Sequence, residues 1–187
     1  MKKVELSPKI STFPMPTAVI SVGIGEEANL ITLAYVGKVC FNPPIIAVSI
    51  QPKRHSYQLI DKHGEFVINY PTIEQLKETD YCGTRSGRDI NKWKDLNLTK
   101  EQATIVKVPM IKEFPWNMEC KVIKKIELGS HVCFFGRVVA THSDPNYVKN
   151  EVLDPEKFNF PAYIAGNYLE LKKGILEKHG FSEEITN

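Results

Sequence analysis

The 187-residue chain has no Cys-x-x-Cys pair, no apolar run long enough for a membrane helix and no surplus of either charge. Its four cysteines, Cys40, Cys82, Cys120 and Cys133, lie far apart. That spacing excludes a zinc ribbon or a thioredoxin-like pair and reads as buried free thiols in a reducing cytosol; no metal site is expected. The apolar stretch Ala18–Ile24 is too short to cross a bilayer and runs into Glu26 and Glu27. Glu5 and Pro8 interrupt any secretory h-region in "MKKVELSPKI". A cytoplasmic protein that is not bound to membranes is expected. The 24 basic residues nearly cancel the 22 acidic ones, and the lysines are interleaved with glutamates, so no stripe tracks a nucleic-acid backbone. There is no G-x-S-x-G, H-E-x-x-H or P-loop, and spacing alone identifies no catalytic group.

What is present is ordinary globular material, 42% hydrophobic and 25% charged, with no repeat and no evident linker. One domain over residues 1–187 is expected. "VISVGIGEEANLIT" contains G-x-G-x-x-A after an apolar run, which raises a dinucleotide-binding loop. That loop requires a helix next. The next segment is instead "NLITLAYVGKV", β-branched and broken by Gly37, and only "GEEA" separates the two runs. The motif is a turn between strands, with Gly25 at a positive-φ position.

Further strands are expected over Ile45–Ile50 behind Pro43–Pro44, over "EFVINY", and over "NMECKVIKKIEL" with Met118, Cys120, Val122, Ile126 and Leu128 inward. "SHVCFFGRVVATHSD", apolar on both faces, belongs in the middle of a sheet. "EVLDPEKFNFPAYIAGNY" reads as mostly irregular and "YLELKKG" as a last strand. Short helices are expected over "KRHSYQLIDKHG", stopped by Gly64, and over "TIEQLKETDYCG", with Thr72 as N-cap and Gly83 beyond the end. In "TRSGRDINKWKDLNL" the pattern puts Asp89, Lys92 and Lys94 outward and Ile90 and Trp93 inward. Many strands with hairpin-sized joins and few helices make the chain mainly β, an antiparallel barrel rather than a parallel α/β sheet.

Two polar stretches carry candidate chemistry. "PKRHSY" brings Arg54, Ser56 and the first amides of a helix together, the composition of a phosphate site. "GTRSGRDINKW" adds a Gly-rich turn and Lys92. Together they suggest a phosphorylated cofactor. Of the histidines, His55, His63, His142 and His179 stand in polar surroundings and are expected to be solvated; His131 opens the apolar strand.

The order "NLITLAYVGKVCFNPPIIAVSIQPKRHSYQLIDKHGEFVINYP", "DYCGTRSGRDINKW", "GSHVCFFGRV" resembles the flavoredoxin branch of the flavin reductase-like proteins, over about residues 16–171. The resemblance implies a split β-barrel of Greek-key type, a homodimer, and one FMN per subunit near the dimer interface. It places Asn29, Thr32, Leu33, Ala34 and Tyr35 beside the flavin ring, with Tyr35 where the family more often has Trp. Ser49 and Ile50 end the next strand against the ring. Arg54, Ser56 and Lys92 correspond to phosphate ligands, His131 to the histidine of a Gly-Asp-His segment, and Tyr163 and Ile164 to a late-loop flavin contact. The implied activity is NAD(P)H-dependent flavin reduction, with NADH or NADPH as donor and free flavin, ferric iron or a redox protein as acceptor. A flavoredoxin-type electron carrier without nicotinamide turnover is the alternative.

Overall fold

A computed structural model describes residues 3–8, 13–171, 175–177 and 179–181. In chain order its elements begin with β1 (Met15–Pro16), β2 (Ala18–Val22), β3 (Asn29–Leu33), β4 (Val36–Cys40) and β5 (Ile45–Ile50). Then come α1 (His55–His63), β6 (Glu65–Tyr70), α2 (Leu76–Thr84), α3 (Lys92–Asp95), β7 (Lys100–Glu101) and β8 (Met110–Ile111). The long pair β9 (Trp116–Glu127) and β10 (Val132–Ser143) is next. Four short strands come last: β11 (Val148–Lys149), β12 (Val152–Leu153), β13 (Pro161–Ile164) and β14 (Asn167–Glu170).

Seven strands form one sheet in the order β3-β2-β6-β9-β10-β5-β4, every pairing antiparallel. The sheet curls into a half-barrel, mainly β and antiparallel as the strand pattern implied and of the split-barrel type that the family resemblance implied. Its concave side holds the main core, with Ile20, Ile46, Val48, Phe66, Ile68 and Phe134 almost wholly buried. The β9–β10 pairing shifts register at Phe135/Gly136 and again at Val138/Ala140, irregularities of the kind that bend a strand.

The run "NLITLAYVGKV" is not one strand. It breaks at Ala34–Tyr35, so that β3 pairs with β2 and β4 with β5, at opposite edges of the sheet. The opening G-x-G-x-x-A is a short 3-10 turn, Gly25–Glu27, joining β2 to β3, with Gly25 at φ +63.

The second face of the sheet is covered as well, which the alternating pattern of β9 did not announce. Val19, Leu30, Cys82, Trp93 and Phe114 pack together on one part of it, and Val67, Ala103, Val106, Val108 and Met110 on another. Glu119, expected to face solvent, is therefore wholly buried, while Leu128 lies past the end of β9 and is exposed. Thr72 caps a 3-10 turn, Ile73–Gln75, through a capping box with Gln75, and α2 itself starts only at Leu76 with Gln75 as its N-cap. Gly83, however, lies within α2 rather than beyond it. A Cβ there would stand 3.2 Å from Thr32 Cβ, so its absence lets α2 lie against β3.

"PAYI" and "NYLE", read partly as irregular, form the β13–β14 hairpin, which pairs with β1. Residues 172–174 of the expected last strand lie outside the described residues. Cys82, Cys120 and Cys133 are buried free thiols, whereas Cys40 is exposed on the edge strand β4. Among the described residues no helix is long and apolar enough to cross a membrane, and no cluster of side chains could hold a metal ion.

Candidate flavin site

The turn between α2 and α3 and the start of α1 meet over β3, and a cavity of about 240 Å³ lies between them. Its floor is polar and buried. Asn29 Nδ2 donates to Ser56 Oγ at 2.9 Å, and both residues are at least 94% shielded from solvent. The close approach of the turn depends on Gly87, because a Cβ there would fall 2.1 Å from Asn29 Oδ1. Only a residue without a side chain fits that position.

Lys92 completes the floor, and here the sequence reading is corrected: the side chain points inward. Its Nζ donates to the carbonyls of Leu30 and Cys82, each at 2.7 Å, and the residue is 2% exposed. Helix α3 is only four residues long, too short for helical periodicity to decide which side chain faces in. Desolvation brings the Lys92 ammonium down to about 8; the neighbouring Cys82 pulls upward and the Arg54 charge pulls further down. Two carbonyls occupy two of its three N–H donors.

The walls carry Lys53, Arg54, Arg85 and Arg88, so that three of the chain's four arginines border one cavity. Arg88 Nη1 donates to the Lys53 carbonyl at 3.0 Å and ties the two segments together. Helix α1 has Arg54 at its N-cap with no side-chain cap, and its first turn borders the same cavity through His55 and Ser56. His55, expected in solvent, is instead half-buried there, and its Nδ1 is buried without a hydrogen-bond partner. His63 and His142 are also not simply solvated, being paired with Glu27 and Glu119; His179 is exposed.

A second, smaller cavity of about 110 Å³ continues the first, sharing Ile31, Arg54 and Gly83 with it. Thr32, Leu33, Ser49, Ile50, Gln51 and His131 line it. The Thr32 hydroxyl donates to the Thr79 carbonyl, which fixes β3 to α2. His131 Nδ1 shares a hydrogen bond of 2.9 Å with Ser130 Oγ, and the His131 ring stands 5.1 Å from the exposed ring of Tyr35. Gln51 Oε1 is buried with no donor to satisfy it.

The structure thus gathers Asn29, Arg54, Ser56 and Lys92 at one end, and Thr32, Leu33, Ser49, Ile50 and His131 at the other. Ala34 and Tyr35 adjoin the second end through the break after β3 without lining it. Tyr163 and Ile164 line neither cavity; the Tyr163 ring packs on Tyr168, whose hydroxyl donates to Asp80. Sequence reasoning missed Gln51, His55, Arg85 and Arg88. The available signal was that the scarce arginines cluster on either side of "SG".

These residues fit FMN. A phosphate dianion matches the buried lysine, the hydroxyl, the guanidinium groups and the uncapped helix start. The ring's N3–H is a donor of the kind that the orphaned Gln51 carbonyl lacks.

Comparison with known proteins agrees with this geometry. The solved flavoredoxin of Methanosarcina acetivorans superposes with a TM-score of 0.90 at 25% identity, covering 99% of this chain and 100% of its own. A protein of Archaeoglobus fulgidus is 41% identical over 133 residues, 71% of this chain and 75% of the relative. The NADH-dependent FMN reductase AsuE2 of Streptomyces nodosus subsp. asukaensis is 26% identical over 141 residues, 75% of each chain. The family model described as "Flavin reductase like domain" matches residues 10–167, a span that contains every wall of the cleft, and the chain belongs to that family.

Proposed function

We propose that the protein is an FMN-dependent oxidoreductase that takes a hydride from NADH or NADPH and passes the electrons to free flavin, ferric iron or a partner protein. FMN is its cofactor. The observation that carries the reading is the ring end of the cleft: Thr32 and Leu33 are only half-buried there, and Tyr35 beside them is 39% exposed. A face reachable by a second planar molecule is what hydride transfer requires, with donor carbon and acceptor nitrogen roughly 3–3.5 Å apart. The Streptomyces relative, an NADH-dependent FMN reductase, supports the same reading.

When bound, FMN itself supplies the electron-transfer chemistry. The chain's part is to hold and shape. Lys92, Ser56 and Arg54 would hold the phosphate, the unpartnered Gln51 carbonyl would accept a hydrogen bond from the ring, and His131, oriented by Ser130, would offer a polar group to it. No side chain needs to act as a general base for this task.

A specific observation keeps one other reading in play, an electron carrier without nicotinamide turnover: the structure superposes on a flavoredoxin over nearly its whole length. Stopped-flow absorbance of the anaerobic holoprotein separates the two. NADH or NADPH in excess is expected to bleach the flavin within seconds. Reduction by dithionite but by neither nucleotide over many minutes would establish the carrier.

We also propose a homodimer. Strand β4 is an edge of the sheet, with its Val39 51% exposed and Phe41, just past its end, 96% exposed. Beside it an apolar groove of about 560 Å³ runs between Val36, Phe41, Ile46, Met118 and Phe160. An open edge next to an apolar groove is a surface that a symmetric copy can cover. Light scattering is expected to give twice the 21.2 kDa chain mass. Phe41→Asp is expected to shift the species to the monomer; a monomeric wild-type protein at micromolar concentration would refute the assignment.

A further inference from the structure

The phosphate end of the cleft is lined by a histidine with a buried ring nitrogen that has no hydrogen-bond partner. We propose that His55 is a proton-linked phosphate ligand, an imidazole that is neutral in the empty cleft and takes up a proton from solvent as the FMN phosphate enters. The inference rests on the FMN assignment.

His55 is the first residue of α1 and lines the 240 Å³ cavity together with Asn29, Ser56 and Lys92. Its Nδ1 is buried and bonded to nothing. The charged groups facing it come from every segment around the cavity. Lys53 and Arg54 precede it in the chain, Arg85 and Arg88 lie on the turn after α2, and Lys92 is on α3. Glu27, on the turn before β3, is the acidic group that acts on it.

Without an anion, desolvation first, then the Arg88 and Lys92 charges, hold the imidazole below its ordinary 6.5, and Glu27 only partly offsets them. A phosphate dianion among the same groups offsets the Arg88 and Lys92 charges that disfavour the imidazolium. The imidazolium then gains an opposite charge within reach, and both its nitrogens become donors. The balance is simple. One proton leaves the buffer and binds His55; no other bond changes.

The linkage has a definite direction. Where the free-state value lies below the bound-state value, FMN binding takes up protons and affinity weakens as pH rises through that interval. The phosphate's own second ionisation, near pH 6, acts in the opposite sense. It is common to wild type and variant, so their difference isolates His55.

The test is calorimetric titration of the full chain, freed of flavin, with FMN between pH 6 and 8. It is run in two phosphate-free buffers of different ionisation enthalpy, for wild type and His55→Gln. The wild type is expected to take up more protons per FMN than the variant, approaching one, and to bind roughly tenfold more tightly than the variant at the acid end, for a shift of about one pH unit. Riboflavin, which lacks the phosphate, is expected to abolish the difference. A second measurement needs no variant to fold: the His55 imidazole resonance of the wild-type protein should titrate at higher pH with FMN bound than with riboflavin bound. Equal proton uptake in the two proteins, or the same midpoint with both flavins, would overturn the linkage while leaving FMN binding intact. Failure of FMN to bind at all would overturn both.

Discussion

Replacing Lys92 with methionine is expected to weaken FMN binding by about 10- to 150-fold, the equivalent of about 1.5–3 kcal/mol for a charge-assisted hydrogen bond. Burial is the cause. A lysine that is 2% exposed has lost its hydration, and two carbonyls at 2.7 Å are dipoles rather than counter-charges. Lys92 lines the floor of the cavity, where a phosphate would supply the missing negative charge. Methionine keeps the length of the side chain and removes the charge. Riboflavin affinity reports any general damage, since the Leu30 and Cys82 carbonyls lose their donor in the variant. Loss confined to FMN identifies the phosphate contact, and unchanged FMN affinity would make Lys92 a strut between β3, α2 and α3.

The same residue predicts a pH dependence. Its folded-state value near 8 lies below the ordinary 10.5. Between these limits the unfolded chain binds more protons at this site, so its contribution opposes folding below about 8 and fades as pH rises toward 10.5. A bound phosphate favours the charged form and raises the folded-state value. FMN affinity of the wild type is therefore expected to decline above pH 8, and that of Lys92→Met to lack this decline.

The end of the cleft that gathers Arg54, Ser56 and Lys92 was legible where its signal was local. Arg54 and Ser56 stand at a helix start, and composition within a few residues is enough to mark such a place. Lys92 lines the same cavity as Arg54 and Ser56 but points inward where the pattern turned it outward, because the choice of face came from a helix of one turn. Arg85, Arg88 and His55 were passed over for a related reason. Charged side chains flanking a Gly-rich turn usually point into water, and only the approach of that turn to β3, which Gly87 permits, converts them into walls. The end lined by Thr32, Ser49 and His131 shows the opposite case. Thr32, Leu33, Ser49 and Ile50 lie on strands that the pattern located well, yet their meeting depends on the chain break at Ala34–Tyr35. Periodicity read straight through that break.

The fold was legible through alternation, and alternation also marks where the reading failed. β9 alternates as a strand with one wet face, and the inner positions Cys120 and Val122 behave accordingly. The outer position Glu119 does not, since the segment 103–108 covers it. A glutamate offers no hint in sequence that three backbone amides from elsewhere will crown it. Nothing in "EQATIVKVPM" looks like an anion-binding loop.

That crown gives the largest expected effect on stability. Glu119 Oε1 accepts from the Thr104 amide and hydroxyl at 2.7 Å each and pairs with His142 at 2.6 Å. Its Oε2 accepts from the amides of Ile105 and Val106 at 2.7 and 2.8 Å. Burial alone would raise the carboxyl; the Thr104 and Val106 amides, the Thr104 hydroxyl and His142 outweigh it and hold the group at about 2. A folded-state value below the ordinary 4.5 means stability that is complete above 4.5 and is lost as pH falls from there toward 2. Removing the carboxylate strands donors that were satisfied, and the hydrophobic cover Ala103, Val106 and Val108 loses its tie to the sheet. Glu119→Ala is expected to cost about 3 kcal/mol, or a fall in Tm of roughly 6–12 °C for a chain of this size. Glu119 lines neither cavity of the flavin cleft, so FMN affinity at low temperature is expected to stay near the wild-type value. Thermal unfolding of wild type and variant from pH 7 down to pH 3 checks both points. The wild type should lose stability steeply below pH 4.5 and the variant should show a shallower slope. A variant as stable as the wild type at pH 7, or one with an unchanged acid limb, would show that the segment is held by its apolar contacts alone.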